Sequence, residues 1–307
     1  MLSTIRAFLR PVAQHVFGMA WGRRLPPHCS FRPQWRGLRL RELELDLGWG
    51  KHAFVLEGYE LARRMKLSRK ARFNNVNGIL RAEFDGMTVE LRSFEELFIL
   101  HEIFVRTCYG WCPSRPTLVV DVGSNVGLSC LYFAKLPNVE QVVGFEPFPR
   151  TLAEAERNLH LNLGLAKKIK LNPFGLGASR DRVPAEYSFI HKGRVSPVGG
   201  LARVKGPIPD KTVVMIDIRD AAAEMEELLT TRCGLEFALK LDCEGSEYDI
   251  VPRLAEVGIL KKFRTVFIEW HGRGPGSLRT ALADSNFNVF CLDEFDEVGL
   301  IYAAQRD

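Results

Sequence analysis

The sequence predicts an α/β protein whose C-terminal two-thirds is built on a parallel sheet with helices on both faces. Three observations carry this reading. From Thr117 onward, short apolar runs rich in Val, Leu, Ile and Phe alternate with helical stretches, the pattern of strands joined by crossover helices. A turn bearing two glycines, Asp121-Val-Gly123-Ser-Asn125-Val-Gly127, falls where one such run ends and a helical stretch begins. The composition, 46% hydrophobic and 26% charged over 307 residues, is that of an ordinary globular protein and excludes collagenous, mucin-like or wholly disordered chains. The length allows one large domain with an extension or two ordinary domains.

Residues 1–77 are irregular, with Pro26-Pro27 and Pro33, and support only short elements. From Gly78, ILRAEF and MTVELRS alternate apolar and polar residues around Asp85-Gly86, the dipeptide of a tight β-hairpin. Ser93 to Val105 reads as a helix: Ser93 caps it with Glu96 three residues on, and Leu97, Leu100, Ile103 and Phe104 form its buried stripe. The core then runs TLVVDV, a helix in VGLSCLYFAKL, QVVGFE, a helix from Thr151 to about Leu163, IKLNPF, EFALKLD, TVFIEW, and the closing pair NVFCLD and LIYAAQ joined by a short turn around Asp296. That makes about seven strands. The stretch from Gly175 to Asp210 has little periodicity; it reads either as a lid over a pocket or as a surface excursion with a small hairpin near Ala185 to Ile190.

Charge is unevenly placed. Residues 1–72 carry 15 Lys/Arg against 5 Asp/Glu, leaving 27 against 32 in the rest. A positive front can meet phosphates, acidic lipid heads or an acidic partner, or be only a solvated docking face. Seven cysteines, at 29, 108, 112, 130, 233, 243 and 291, form no C-x-x-C pair. This suits reduced thiols in a cytoplasmic protein; Cys108 and Cys112 lack a second pair with zinc-ligand spacing. No apolar run is long enough to cross a membrane, and Arg6, Arg10 and Pro11 interrupt any signal-peptide core. Ile5, Phe8, Leu9, Val12 and Val16 recur at helical spacing, which suits a helix lying on a membrane surface as well as one packed on its own protein.

Three motifs carry chemistry. The first is the turn from Asp121 to Gly127, with Glu146 ending the next strand. In open parallel sheets ligands bind beyond the strand C-termini, and a carboxylate after the second strand can accept both ribose hydroxyls. A dinucleotide site would place glycines where Asn125 and Leu128 stand, so a pyrophosphate is obstructed. A ligand with a ribose and no phosphate fits better, and the cationic sulfonium of S-adenosylmethionine suits an acidic turn. The second motif, Lys240-Leu-Asp242-Cys-Glu244-Gly-Ser-Glu247-Tyr248, crowds three carboxylates at one strand end. Ionised together they repel unless a cation, a proton or a donor offsets them. The third, Phe267-Ile-Glu269-Trp-His271, sets an acid and a histidine beside that group, so both should face one cleft.

D-V-G-S-N-V-G, G-F-E-P at 144–147, K-L-D-C-E-G-S-E at 240–247 and I-E-W-H at 268–271 resemble the FkbM-type methyltransferase family, over about residues 91–304. The resemblance implies a Rossmann-like seven-stranded methyltransferase fold, mostly parallel with its last strand antiparallel, and S-adenosylmethionine-dependent methylation of a hydroxyl on a sugar, polyketide or related metabolite. Carried over, Asp121, Gly123, Asn125 and Gly127 contact the cofactor's amino-acid end, Glu146 holds its ribose, and Pro147 and Phe148 border the adenine; Ser124 and Asp242 join them as expected cofactor-binding residues. Cys243 departs from the family's usual aliphatic residue, and the basic front is unexplained by it. The expected division is a basic N-terminal extension over 1–77, a hairpin and helix over 78–116, and the cofactor-binding domain over 117–307.

An alcohol acceptor needs its proton removed. His271, with an ordinary pKa near neutrality, is the first choice of base, and Glu244 or Glu269 are alternatives or its orienting partners. A divalent ion on Asp242, Glu244 and Glu269 can instead polarise the hydroxyl, although a metal is not expected. The rival readings are a methyltransferase acting on RNA or protein, for which Trp21, Phe31 and Trp35 among the arginines supply stacking groups, and a non-catalytic nucleoside-binding partner protein. A small-molecule or glycan acceptor is favoured over nucleic acid.

Overall fold

The computed structural model describes residues 29–32, 37–48, 53–189, 192, 211–295 and 297–306, and the chain divides into two compact units, 1–108 and 109–307.

In the first unit, β1 (Cys29–Arg32), β2 (Gly37–Leu40) and β3 (Leu45–Gly48) form an antiparallel sheet. Leu38, Leu40, Leu45 and Leu47 are buried, and Arg39 meets Asp46 across the strands at 2.7 Å, the period-two pattern of a sheet with one covered face. Two helices follow, α1 (Ala53–Glu57) and α2 (Tyr59–Arg69). The expectation of only short elements before residue 78 is corrected by α2, whose 11 residues bury just Ala62 and Met65. Its apolar stripe is too narrow for helical periodicity to register in the sequence. Then come β4 (Arg72–Val76), β5 (Ile79–Phe84) and β6 (Met87–Leu91), a second antiparallel sheet.

The β5–β6 hairpin turns at Asp85-Gly86 as expected, both residues having positive φ, which matches the twist of the flanking strands. In α3 (Phe94–His101), the Ser93 hydroxyl accepts the Glu96 amide and the Glu96 carboxylate accepts that of Arg92. Beyond His101 the helix loosens into a π-turn, Glu102–Arg106. The expected stripe of Leu97, Leu100, Ile103 and Phe104 is buried.

The second unit is the expected α/β fold. It runs β7 (Thr117–Val122), α4 (Leu128–Lys135), β8 (Val139–Phe145), α5 (Pro149–His160), α6 (Leu163–Ala166), β9 (Ile169–Asn172), β10 (Gly175–Gly177), β11 (Asp181–Tyr187), β12 (Thr212–Asp220), α7 (Ala221–Thr230), β13 (Glu236–Leu241), α8 (Glu247–Glu256), β14 (Thr265–His271), α9 (Gly276–Asp284), β15 (Phe287–Phe295) and β16 (Val298–Gln305). The main sheet has seven strands in the order β9-β8-β7-β13-β14-β16-β15. Four neighbouring pairs, from β9 through to β14, are parallel, while the last strand, β16, runs antiparallel to both β14 and β15.

Every residue of β7 is buried, as a central strand covered on both faces requires. On one face Val120, Leu239 and Ile268 pack with Met225, Ile250, Leu254 and Leu278 of α7, α8 and α9. On the other, Phe267 gathers Tyr109, Trp111, Phe133 and Tyr302 within 6.1 Å, centroid to centroid. From β7 the chain winds outward through β8 and β9, then returns to place β13 on the opposite side. That reversal puts the topological switch point, where open α/β sheets bind ligands, between the C-terminal ends of β7 and β13.

The stretch from Gly175 is corrected in part. Residues 181–187 pair with β12 from Asp181↔Ile218 to Tyr187↔Thr212, so among the described residues Ala185 pairs with Val214 rather than within a local hairpin. Pro184 hid this strand from a propensity reading; β11 is an edge strand of its small sheet, the place a sheet tolerates proline. The lid expectation concerns mainly residues 193–210, and the amphipathic pattern at Ile5 to Val16, with Trp21 and Trp35, concerns the N-terminus; these lie outside the described residues. Among the described residues no helix is long and apolar enough to cross a membrane.

Candidate functional site

The glycine turn is strapped to its neighbours by backbone bonds. The amides of Gly123 and Ser124 both donate to the Phe145 carbonyl at 3.0 and 3.1 Å, so the turn sits on the end of β8. Gly123 has φ 78°, and a Cβ there would lie 1.7 Å from the Asp242 carbonyl oxygen. Only glycine allows the turns after β7 and β13 to approach this closely. Ser124 is buried, Gly127 opens α4 in the left-handed conformation, and Asn125 has φ 47° with its Oδ1 buried and without a hydrogen-bond partner.

Glu146 stands at the end of β8, 5% exposed. Its Oε2 accepts the Asn125 amide and its Oε1 that of Phe148, both at 3.0 Å. Burial pushes its pKa up to about 7, outweighing the two backbone donors. Phe148 is buried against Tyr187, Ala185 and Ile216, and Pro147 beside it is part-exposed.

Asp121 and Lys240 form the buried centre. The Asp121 side chain is fully enclosed: its Oδ2 accepts from Ser129 (2.6 Å) and Cys130 (3.1 Å), and its Oδ1 pairs with Lys240 Nζ at 3.0 Å. Lys240 Nζ also donates to the Gly123 carbonyl at 2.8 Å and lies 3.5 Å from Asp242 Oδ2. Desolvation favours the neutral amine, but Asp121 and Asp242 outweigh it and hold the ammonium well above its ordinary pKa. The side chain of Asp121 therefore acts on the turn through Lys240 and the start of α4. One cation ties the glycine turn to the acidic strand end.

The second and third motifs meet as expected. His271, 9% exposed, ends β14. Its Nε2 lies 3.9 Å from Asp242 Oδ1, 3.8 Å from Glu244 Oε2 and 3.9 Å from Glu269 Oε1. Its Nδ1 is 3.2 Å from Glu247 Oε1, which also accepts the His271 amide at 2.8 Å. Burial alone would lower the imidazole pKa, but Glu244, then Glu247 and Asp242, raise it to about 10. This removes the premise on which His271 was chosen as base, an ordinary pKa near neutrality; with these carboxylates around it the ring holds its proton.

Glu244 has φ 53° and Gly245 φ 106°, a strained turn that re-aims the Glu244 carboxylate toward the histidine. The six cysteines with described side chains are free thiols. Among the described residues one group has metal-ligand spacing, Asp242, Glu269 and His271; it shares Asp242 and Glu269 with the candidate set read from the sequence, in which Glu244 is the third residue and no metal is expected.

Two residues escaped the sequence reading. Lys240 is a cation inside the apolar strand EFALKL, a signal in itself, since a buried lysine demands a partner. Glu247 is fully buried and accepts the Gly245 amide at 2.8 Å besides gripping His271; its three-residue offset from Glu244 placed it near the group without revealing which way it faces.

The profile of the methyltransferase FkbM domain matches residues 121–289. The chain is 27% identical over 217 residues to the AMB antimetabolite synthetase AmbE of Pseudomonas aeruginosa, covering 60% of this chain and 10% of that protein. It is 35% identical over 172 residues to Methyltransferase 1 of Beauveria bassiana, covering 51% and 66%. It thus spans less than two thirds of either relative. Among solved structures, the methyltransferase FkbM of Methylobacillus flagellatus is 16% identical with a TM-score of 0.43, over 66% of this chain and 47% of that one.

Proposed function

The chain belongs to the FkbM methyltransferase domain family, and we propose that it is an S-adenosylmethionine-dependent O-methyltransferase acting on a hydroxyl of a sugar, polyketide or other small metabolite. The observation that carries this is Lys240, which joins the glycine turn to the carboxylate–histidine cluster through Gly123 and Asp242. A cofactor turn and a proton-handling cluster sharing one buried cation suit transfer between two molecules bound side by side. S-adenosylmethionine supplies a methyl group on a positively charged sulfur.

The residues present fit that cofactor. Glu146 offers its remaining lone pairs to a ribose diol, Asn125 Oδ1 is a buried acceptor in want of a donor, and Pro147 and Phe148 give an apolar border for adenine. Asp242, half paired with Lys240, is open to the amino-acid end, with Gly123, Ser124 and Gly127 shaping the turn beneath it.

For the acceptor, Glu244 takes the hydroxyl proton, since its carboxylate is part-buried and aimed into the cluster. His271 and Glu269 bind and orient the hydroxyl. The macromolecular alternative drew on the basic front; among its described residues Arg39, Arg63 and Lys66 are paired with Asp46, Glu42 and Glu44, which leaves less charge there for an RNA.

The test is calorimetric titration with S-adenosylmethionine and S-adenosylhomocysteine, followed by transfer of labelled methyl to a panel of hydroxylated acceptors. Glu244→Gln is expected to lower kcat by about 10²- to 10⁴-fold. A folded wild-type protein that binds neither compound, with or without divalent ions, would sink the proposal.

A further inference from the structure

We infer that Asp242, Glu269 and His271 form a site for one divalent cation, with Glu247 setting the histidine's orientation. As an account of how the acceptor hydroxyl is held this rests on the methyltransferase reading above; as a metal site it stands separately. Asp242 follows β13, and Glu269 and His271 are two residues apart on the adjacent β14, so both project to one side of the sheet. One donor atom from each of the three lies within 4.8 Å of the others. The distances of 3.9 Å from His271 Nε2 to Asp242 and Glu269 are too long for hydrogen bonds. They suit donors arrayed about an ion roughly 2.0–2.2 Å from each.

The histidine is an observation independent of the acids. It is nine-tenths buried, and its Nε2 makes no hydrogen bond although aimed into the gap between carboxylates. The other ring nitrogen is gripped by Glu247, a fully buried carboxylate fixed by the amides of His271 and Gly245. With Nδ1 held by Glu247, Nε2 is the ring atom that faces the gap, where an ion would take the place of its proton. A carboxylate behind the ligating imidazole is the arrangement that orients metal-bound histidines. One imidazole with two or three hard carboxylate oxygens favours Mn²⁺ over Ca²⁺ or Mg²⁺. Glu244, 3.8 Å from the same Nε2, stands at the edge of the site, where it can accept a proton from a hydroxyl held on the ion.

The experiment strips the full chain with chelator and titrates it with Mn²⁺, reading the free ion by electron paramagnetic resonance and the fold by circular dichroism. One Mn²⁺ per chain is expected. Glu247→Gln is expected to weaken uptake by about 10- to 100-fold, and the double variant Asp242→Asn/Glu269→Gln to lose it. Glu269→Gln alone, at a part-exposed position, is expected to fold and bind more weakly, should the double variant not fold.

A folded wild type that takes up neither Mn²⁺ nor Zn²⁺, or a folded variant of Glu269 that binds as tightly as wild type, overturns the site. Titration of the same samples with S-adenosylhomocysteine separates the two readings. Cofactor binding without metal uptake refutes the metal site alone, whereas metal uptake without cofactor binding supports the site and refutes the methyltransferase chemistry.

Discussion

Moving from about pH 8 to about pH 6 should weaken S-adenosylhomocysteine binding roughly tenfold, and Glu146 is the reason. In the free protein its pKa is raised to about 7 by burial, with Asp121 adding to the rise and Lys240 and the amides of Phe148 and Asn125 opposing it. On the proposed function a ribose diol donates to the ionised carboxylate, so binding would expel the proton that most molecules carry at the lower pH. The sign follows from the raised folded-state value: Glu146 contributes stability that is fully present below its ordinary pKa of 4.5 and is lost as pH rises through about 7. The whole shift is worth about 3 kcal/mol. Calorimetry at both pH values, in buffers of differing ionisation enthalpy, should show proton release on binding at the lower pH. The Glu146→Gln variant should bind weakly at both, and its stability relative to wild type should improve by up to about 3 kcal/mol as pH rises. Affinities within twofold of one another, with no proton release, refute the reasoning.

The buried ion pair, the glycine turn and the closing strand give further tests. Lys240→Met leaves the enclosed Asp121 carboxylate uncompensated and should cost about 3–5 kcal/mol in urea unfolding, with much of it recovered by adding Asp121→Asn; equal losses in the single and double variants would count against the pair. Gly123→Ala meets the Asp242 carbonyl at 1.7 Å and should lower both the Tm and the affinity for S-adenosylhomocysteine by at least about tenfold; an unchanged Kd would show that the turn does not shape the cofactor site. In β16, a Cβ at Gly299 would lie 2.7 Å from the Leu292 carbonyl and 2.8 Å from the Trp270 ring, so Gly299→Ala should destabilise by about 1–3 kcal/mol, measurable by chemical denaturation.

The sheet was legible because its strands are covered on both faces and read as unbroken apolar runs, TLVVDV most plainly, and because charged residues within or just after such runs mark strand ends. The elements that escaped have weaker patterns. α2 buries only Ala62 and Met65, β11 carries Pro184, and β12 exposes Val213 and Met215, so its apolar residues gave no clean alternation. In the site, the residues at strand ends came together as strand order demands. Two properties were beyond the text. Glu247 turns inward because its backbone partners, Gly245 and His271, are fixed by the fold. The pKa of His271 depends on how many carboxylates surround it, which spacing along one chain does not state.

Lys240 makes the two halves of the site answer to each other. Whatever draws Asp242 toward itself, an ion or an acceptor, withdraws part of the charge that steadies the ammonium and so changes how firmly it holds the Gly123 carbonyl. On the proposed function, the occupant of the glycine turn and the occupant of the carboxylate cluster would then be linked by a coupling free energy, and linkage makes such a coupling reciprocal: each would shift the other's affinity by the same factor, whichever arrives first.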